Sequence, residues 1–228
     1  LTVAQTTEDH FAQLARRIKG QGEVVSGELL VTSITGIADL LSPIFGSFQR
    51  AHPQVIIRFL TDMRVFRLDY GEAHVAIRAG SQPQEPDYVV QPLVRLRSAL
   101  YAARCYVEAN GLPESADDFP RHRFVGSDNL DSRAPFYRWL RAHVPEEAIA
   151  YRATEPDSTN QAIRAGLGLG FLPVRQATGD PDLIEVMPPQ SDWDAPLWIV
   201  THVDLHRTLK VQSFLTHLRQ AAAGWAGV

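Results

Sequence analysis

The chain has very little cysteine and no long apolar run, and both features limit the classes of protein to which it can belong. Its 228 residues include one cysteine, Cys105, which excludes an internal disulfide and agrees with a reducing compartment. No stretch of about 18 apolar residues occurs, so no segment is predicted to span a membrane. The first residues are polar and charged where a secretory signal would have an apolar core. These absences predict a cytoplasmic protein without a membrane partner.

An excess of basic charge is missing as well. The formal net charge is −4, and the arginines are dispersed along the chain. Nucleic-acid-binding modules usually carry a clustered basic face. These residues are therefore not expected to bind DNA by themselves.

The signatures of common enzymes and metal sites are absent too. No Gly-x-Ser-x-Gly elbow occurs, and the glycine-rich stretch 166–170 follows a predicted helix and precedes a strand, the reverse of a dinucleotide site. His202 and His206 are four residues apart but have no third ligand nearby in the sequence, so no metal site is predicted. Cys105 is interpreted as a small buried side chain. The sequence thus predicts neither catalysis nor a cofactor.

Residues 27–80 contain the clearest pattern in the chain, an alternation of strands and helices. Strands are predicted at 28–32, 55–60 and 73–77, with a short helix at 65–70 closed by Gly71. The helix between the first two strands has a single apolar stripe, made of Ile37, Leu40, Leu41, Ile44, Phe45 and Phe48. Such alternation is typical of a parallel sheet covered by helices.

Polar side chains follow these strands where each one ends. Ser33 and Thr35 come after the first strand, Thr61 after the second and Arg78 after the third. Ligands of open α/β sheets bind beyond the carboxyl ends of strands, where helix N–H groups attract anions. The hydroxyls therefore predict an anion site, although Ser and Thr also cap helices. For Arg78 the alternatives are a clamp on a ligand carboxylate, an ion pair with a hinge carboxylate, or exposure to solvent.

The second half of the chain repeats the alternation. Strands are predicted at 98–102, 124–126, 149–154, 169–173, 183–187 and 197–203. Gly126 and Ser127 end one of them and are candidates to contact the same ligand. Asp157 and Ser158 start a helix, and Ser158 followed by Gln161 has the spacing of a capping box. The last helix has a buried stripe made of Val211, Phe214, Leu215, Leu218 and Ala222.

Several phrases of the sequence are similar to those of one known family. Leu-Leu-Ser-Pro at 40–43, Phe-Gln-Arg-Ala-His-Pro at 48–53, Tyr-Gly-Glu-Ala-His-Val-Ala-Ile-Arg-Ala-Gly at 70–80 and Ala-Gly-Leu-Gly-Leu-Gly-Phe-Leu-Pro at 165–173 occur in the right order. In this respect the chain resembles the effector-binding domain of LysR-type transcriptional regulators. His74 departs from the pattern, because the family commonly has an acidic residue there.

The resemblance implies a fold and its division into parts. The fold is α/β, with two Rossmann-like subdomains joined by two crossover strands, as in type 2 periplasmic-binding-protein-like folds, plus an N-terminal linker helix. Residues 1–22 would form that dimerisation helix, residues 27–91 and 204–228 the first subdomain, and residues 92–203 the second. The opening Leu1, Thr2 and Ala4 match the phrase that follows a winged helix-turn-helix in the family. The chain is therefore expected to lack the DNA-binding domain of its regulator.

The resemblance also implies a function. A small and plausibly anionic effector would bind in the cleft between the lobes, where the family's positions matching Ser33, Thr35 and Thr61 hold its polar head. The protein would be a homodimer or homotetramer that contacts DNA only through the missing domain. The alternative is a solute-binding receptor of a transport system, which shares the fold but has no need of a dimerisation helix. A cleft enzyme of the same architecture is a third possibility.

Overall fold

The computed structural model describes residues 24–61 and 64–225, which form two compact units. The first unit runs up to Val94 and resumes at Leu197, and the second runs from Arg95 to Pro196. The chain passes from one to the other within two strands, β4 (Tyr88–Leu96) and β10 (Ala195–His202). The chain returns to the first unit at Leu197, whereas the resemblance implied a return near residue 203, so most of β10 belongs to the first unit. The helix expected at residues 1–22 lies outside the described residues.

The first unit is built on a five-stranded sheet with the order β2-β1-β3-β10-β4. Its other strands are β1 (Gly27–Ser33), β2 (Val55–Thr61) and β3 (Val75–Ala79). β1 is parallel to β2 and β3, whereas β10 is antiparallel to β3. The three strands predicted for residues 27–80 are therefore confirmed, with ends shifted by one or two residues.

Two long helices pack on this sheet through aromatic contacts. They are α1 (Ala38–Ala51) and α7 (Leu209–Ala222), and a short helix, α6 (Val203–His206), precedes α7. The ring of Phe45 lies 5.0 Å from that of Phe59 on β2, and the ring of Phe48 lies 5.3 Å from that of Phe214 on α7. The predicted stripe of α7 is confirmed, because all five of its residues are buried. These contacts bury one face of the sheet, and that face includes Ser33.

One predicted helix of the first unit is wrong. The structure has turns and irregular backbone at residues 64–72, closed by Gly71 with a positive φ of 67°. The carboxylate of Glu72 accepts hydrogen bonds from the backbone N–H of Arg67 and from the guanidinium of Arg64, both at 2.8 Å. These two bonds lower the pKa of Glu72, the backbone one most strongly. A charged side chain thus satisfies the N–H group of Arg67 in a backbone that is not helical.

The second unit contains two small sheets. Its strands are β5 (Ser98–Ala103), β6 (Phe124–Ser127), β7 (Ile149–Ala153), β8 (Gly170–Pro173) and β9 (Leu183–Met187). β5 lies between β8 and β9 as an antiparallel sheet, and β6 pairs with β7 in parallel. A single bridge from Phe124 to Leu169 continues the pairing next to β6. Its helices are α2 (Arg104–Asn110), α3 (Pro135–His143), α4 (Pro156–Arg164) and α5 (Val174–Ala177).

An aromatic cluster fills one side of the second unit. Trp193 is fully buried, with ring centroids 4.8 Å from Phe171 and 5.2 Å from Trp139 in edge-to-face geometry. Edge-to-face pairs set the positive edge of one ring against the negative face of the other. Phe171 is thus a core residue of the second unit.

The glycine-rich stretch 166–170 is a close-packing segment. Gly166 has a positive φ of 78° directly after α4, as expected of a helix stop. A Cβ on Gly168 would lie 2.5 Å from the carbonyl oxygen of Arg123, and one on Gly170 would lie 2.5 Å from Ile163 Cδ1. Neither position therefore has room for a side chain, and the backbone approaches its neighbours closely here.

Two local predictions for the second unit are wrong. The capping box at Ser158 does not form, because Pro156 occupies the first turn and the helix starts there, with Glu155 at the cap. Ser158 therefore lies inside the helix. Cys105, on α2, is exposed instead of buried.

Candidate functional site

Two of the predicted hydroxyl residues lie side by side at the carboxyl edge of the first sheet. Ser33 ends β1, Thr61 ends β2, and the two are register partners in the parallel ladder. Register partners project from the same face of a sheet. Thr61 is exposed, whereas Ser33 has only 5% of its surface exposed. The strand ladder therefore brings Ser33 and Thr61 together on the face that the helices cover.

The hydroxyl of Ser33 has an unusual environment. Among the described residues, Ser33 Oγ is a buried side-chain oxygen that has no hydrogen-bond partner. The preceding Thr32, which projects from the opposite face, donates from its Oγ1 to the carbonyl of Leu60 at 2.9 Å. Leaving a buried hydroxyl unpaired costs about 1–3 kcal/mol. Unpaired groups of this kind are rare in folded proteins and require an explanation.

The turn after β1 leaves polar backbone at the same edge. Thr35 opens a 3-10 turn, Thr35–Ile37, which leads directly into α1. Neither Ile34 nor Ile37, the residues that precede these two elements, makes a side-chain cap hydrogen bond. Thr35 is partly exposed, and a Cβ built on Gly36 has no atom within 4 Å. Thr35 thus places one hydroxyl next to open space at this edge of the sheet.

Arg78 lies on β3 at this end of the sheet but is bonded to the protein. Its guanidinium donates to the carbonyl of Phe66 at 3.0 Å and forms an ion pair with Glu85 at 3.3 Å. It also lies 5.1 Å from the ring centroid of Tyr88. Since only 15% of its side chain is exposed, the geometry agrees with the ion-pair alternative for Arg78.

In the second unit, Gly126 and Ser127 end β6 beside the start of α4. Gly126 is buried, and a Cβ there would lie 3.3 Å from Leu140 and from Ile149, so the glycine allows close packing. The Oγ of Ser127 accepts a hydrogen bond from the backbone N–H of Asn129 at 3.1 Å. Ser127 is only partly buried, and its hydroxyl proton has no bond of its own among those that involve described residues.

Asp157 and Ser158 lie in the first turn of α4. Asp157 is exposed there, and the backbone N–H of Ser158 donates to the carbonyl of Glu155 at 3.1 Å. The hydroxyl of the next residue, Thr159, donates to the carbonyl of Pro156 at 2.7 Å. On α3, burial raises the pKa of Tyr137.

The described part of the chain contains neither a candidate metal cluster nor a candidate membrane span. No group of three or more His, Cys, Asp or Glu side chains is arranged to hold a metal ion there. No helix of residues 24–61 and 64–225 is both long and apolar enough to cross a lipid bilayer. His202 and His206 have local partners, the backbone N–H of Asp204 and the hydroxyl of Thr201.

Comparison with known proteins assigns the family. Residues 22–223 match the family model described as the LysR substrate binding domain, and the chain therefore belongs to this family. The family is a ligand-binding domain of transcriptional regulators and not an enzyme family. An HTH-type transcriptional regulator of Xanthomonas campestris pv. campestris (strain 8004) is 29% identical over 136 residues. That match covers 57% of this chain but only 39% of the relative.

Solved structures show the same fold. The regulatory domain of CrgA, a LysR-type transcriptional regulator from Neisseria meningitidis, is 20% identical with a TM-score of 0.73, and the match covers 86% of this chain and 98% of that one. Another structure of CrgA is 18% identical with a TM-score of 0.77, covering 96% of this chain and 76% of that one. The fold is thus that of a LysR regulatory domain, with the type 2 periplasmic-binding-protein-like architecture that the sequence implied.

Proposed function

We propose that this domain senses a small organic anion for a LysR-type transcription regulator. The observation that carries the proposal is the unpaired, buried hydroxyl of Ser33 at the carboxyl end of β1. Thr61 lies beside it in register, and the turn with Thr35 follows it. A carboxylate has several acceptor sites, and it suits an edge that offers hydroxyl protons and backbone N–H groups.

Ser33 donates to the effector in this proposal, and the bond removes the cost of leaving its hydroxyl unpaired. Because the Oγ is buried, the ligand reaches it after a rotation of the Ser33 side chain or a small movement of the 34–36 turn. The open space at Gly36 provides room for that movement. Thr35 and Thr61 would contact the same polar head from the exposed side.

The other predicted site residues have different roles in this proposal. Arg78 would support the site by holding Phe66 and Glu85, since its donors already have partners. Gly126, Ser127, Asp157 and Ser158 belong to the second unit and remain predicted effector-binding residues of that unit. Asp157 is an acid, so it suits a hydroxyl or an amine on the effector better than the carboxylate.

Signalling would follow from a difference in affinity. An effector that binds one arrangement of the protein more tightly shifts the population towards it. A coupling of about 1–3 kcal/mol is sufficient for regulation. In the whole regulator this shift would act on a separate DNA-binding domain through a dimer or tetramer in the cytoplasm, with no membrane contact. No cofactor takes part in this scheme.

A thermal-shift screen tests the proposal. Mono-, di- and tricarboxylates are added at millimolar concentration, with sodium chloride of equal ionic strength as the control. A ligand at 100 times its Kd stabilises the folded state by about 2.7 kcal/mol. A carboxylate should raise the Tm of the unmodified protein, and the rise should be lost in Ser33→Ala but kept in Ser42→Ala, a matched change on the exposed part of α1. An equal rise in both variants would contradict the proposal.

A further inference from the structure

The second unit contains a buried histidine that takes part in a one-way chain of hydrogen bonds. The backbone N–H of Arg123 donates to the hydroxyl oxygen of Tyr106 at 2.9 Å. That oxygen lies 3.2 Å from Nδ1 of His122. Tyr106 and His122 are 4% and 8% exposed, so both side chains are shielded from water.

The direction of the second bond follows from the first. The oxygen of Tyr106 already accepts from Arg123, and its own proton needs an acceptor because the hydroxyl is buried. Nδ1 of His122 is the acceptor in reach among the described residues. Tyr106 therefore donates to a neutral imidazole, whose proton is on Nε2.

The surroundings of His122 favour this neutral form. Burial is the largest influence, and it lowers the pKa of His122 below the ordinary value. Asp118 raises the pKa and Arg121 lowers it, both from the 3-10 turn Ala116–Arg121 that ends at His122. The group of α2 that faces His122 is the hydroxyl of Tyr106. Arg123, which precedes β6, has a side chain that is exposed to solvent.

The chain of bonds joins three parts of the second unit. Besides its bond to Tyr106 on α2, Arg123 accepts at its carbonyl from the backbone N–H of Leu169 at 2.8 Å. Gly168 packs against that same carbonyl, at a distance that leaves no room for a side chain. Loss of the Tyr106–His122 bond would therefore loosen Arg123 and the segment 166–169 together.

We infer that Tyr106 and His122 form a pH-sensitive latch between α2 and the segment 166–169. Protonation of His122 places an N–H donor against the O–H donor of Tyr106, and the bond between them breaks. The latch is closed above the ordinary histidine pKa of about 6.5 and opens as the pH falls below it. This inference does not depend on the effector or on Ser33.

Hydrogen exchange on the full chain tests the latch. Between pH 6.5 and the lower pKa of the folded state, the opening equilibrium should increase by up to about tenfold per pH unit. This appears as a matching fall in the protection factors of the Arg123 and Leu169 amides. In His122→Gln, which keeps an acceptor but does not titrate, the protection should stay constant over this range. The control His143→Gln changes an exposed histidine on α3 and should behave like the unmodified protein.

The same fall in protection in His122→Gln would overturn the inference. An NMR titration of His122 in the unmodified protein is a second test of the latch, and it does not require the variant to fold. The latch requires His122 to titrate below 6.5 with its neutral form protonated at Nε2. A pKa at or above 6.5, or a proton on Nδ1, would overturn it.

Discussion

The imidazole Nδ1 of His74 accepts a hydrogen bond from the backbone N–H of Leu30 at 3.0 Å, and the N–H of His74 donates to the carbonyl of Leu30 at 2.9 Å. This reciprocal pair extends the β1–β3 ladder by one step beyond Val31 and Val75. The acceptor in this step is a side chain and not a carbonyl. This side-chain acceptor also accounts for the histidine at residue 74, where the family commonly has an acidic residue, because a carboxylate accepts a backbone N–H equally well.

His74→Ala and His74→Asp should therefore have different effects. The alanine removes the acceptor from a partly buried N–H and should lower the free energy of unfolding by about 1–3 kcal/mol. The aspartate keeps an acceptor and should cost less than the alanine. Urea unfolding of the two variants at pH 7 checks this, and equal losses would show that the bond contributes nothing.

Ser33→Ala should stabilise the ligand-free domain. The change removes a buried hydroxyl that has no partner among the described residues, and the free energy of unfolding should rise by about 1 kcal/mol. The neighbouring Thr32→Val is the matched control, since it removes a hydroxyl that bonds to Leu60. Its unfolding free energy should fall by about 1 kcal/mol. Changes of the same sign in both variants would show that Ser33 has a partner in solution.

Gly168→Ala should be strongly destabilising, and Gly36→Ala should not be. A Cβ at residue 168 would lie 2.5 Å from a backbone oxygen, whereas one at residue 36 has no atom within 4 Å. Overpacking of this kind typically costs about 1–3 kcal/mol. Thermal unfolding measures both variants, and a tolerated alanine at 168 would contradict the close packing on Arg123.

Arg78→Lys should loosen the segment that follows β2. A lysine keeps the charge but cannot bond Phe66 and Glu85 with the fork geometry of a guanidinium. Trypsin should then cleave at Arg64 or Arg67 several-fold faster than in the unmodified protein. Unchanged cleavage together with lost anion binding would instead identify Arg78 as a ligand clamp.

The sequence predicted the elements whose patterns are local. The stripe of α7 and the strand 183–187 were predicted correctly because periodicity and burial agree there. β4 was expected only as one of the crossover strands that the resemblance implied, and its Pro92 is tolerated because β4 is an edge strand, where the missing N–H of a proline is not needed. The false helix at 65–70 arose because Val65 and Leu68 have helical spacing, whereas Glu72 and Tyr88 fix the backbone by contacts that only the fold creates.

The candidate site was predictable only in part. The order of strands and hydroxyls indicated that Ser33 and Thr61 would meet, and their register pairing agrees with that. The sequence contained no sign that Ser33 lacks a partner or that Arg78 is bonded to Phe66. Each of these depends on side-chain contacts between separate elements.

Isothermal titration tests the central claim most directly. The carboxylate that gives the largest thermal shift is titrated into the unmodified domain, Ser33→Ala and Thr32→Val. Loss of one hydrogen bond to a charged group, about 1.5–3 kcal/mol, should weaken binding by Ser33→Ala at least tenfold. Thr32→Val should bind as the unmodified domain does. Equal affinity of Ser33→Ala and the unmodified domain would show that the end of β1 does not hold the effector.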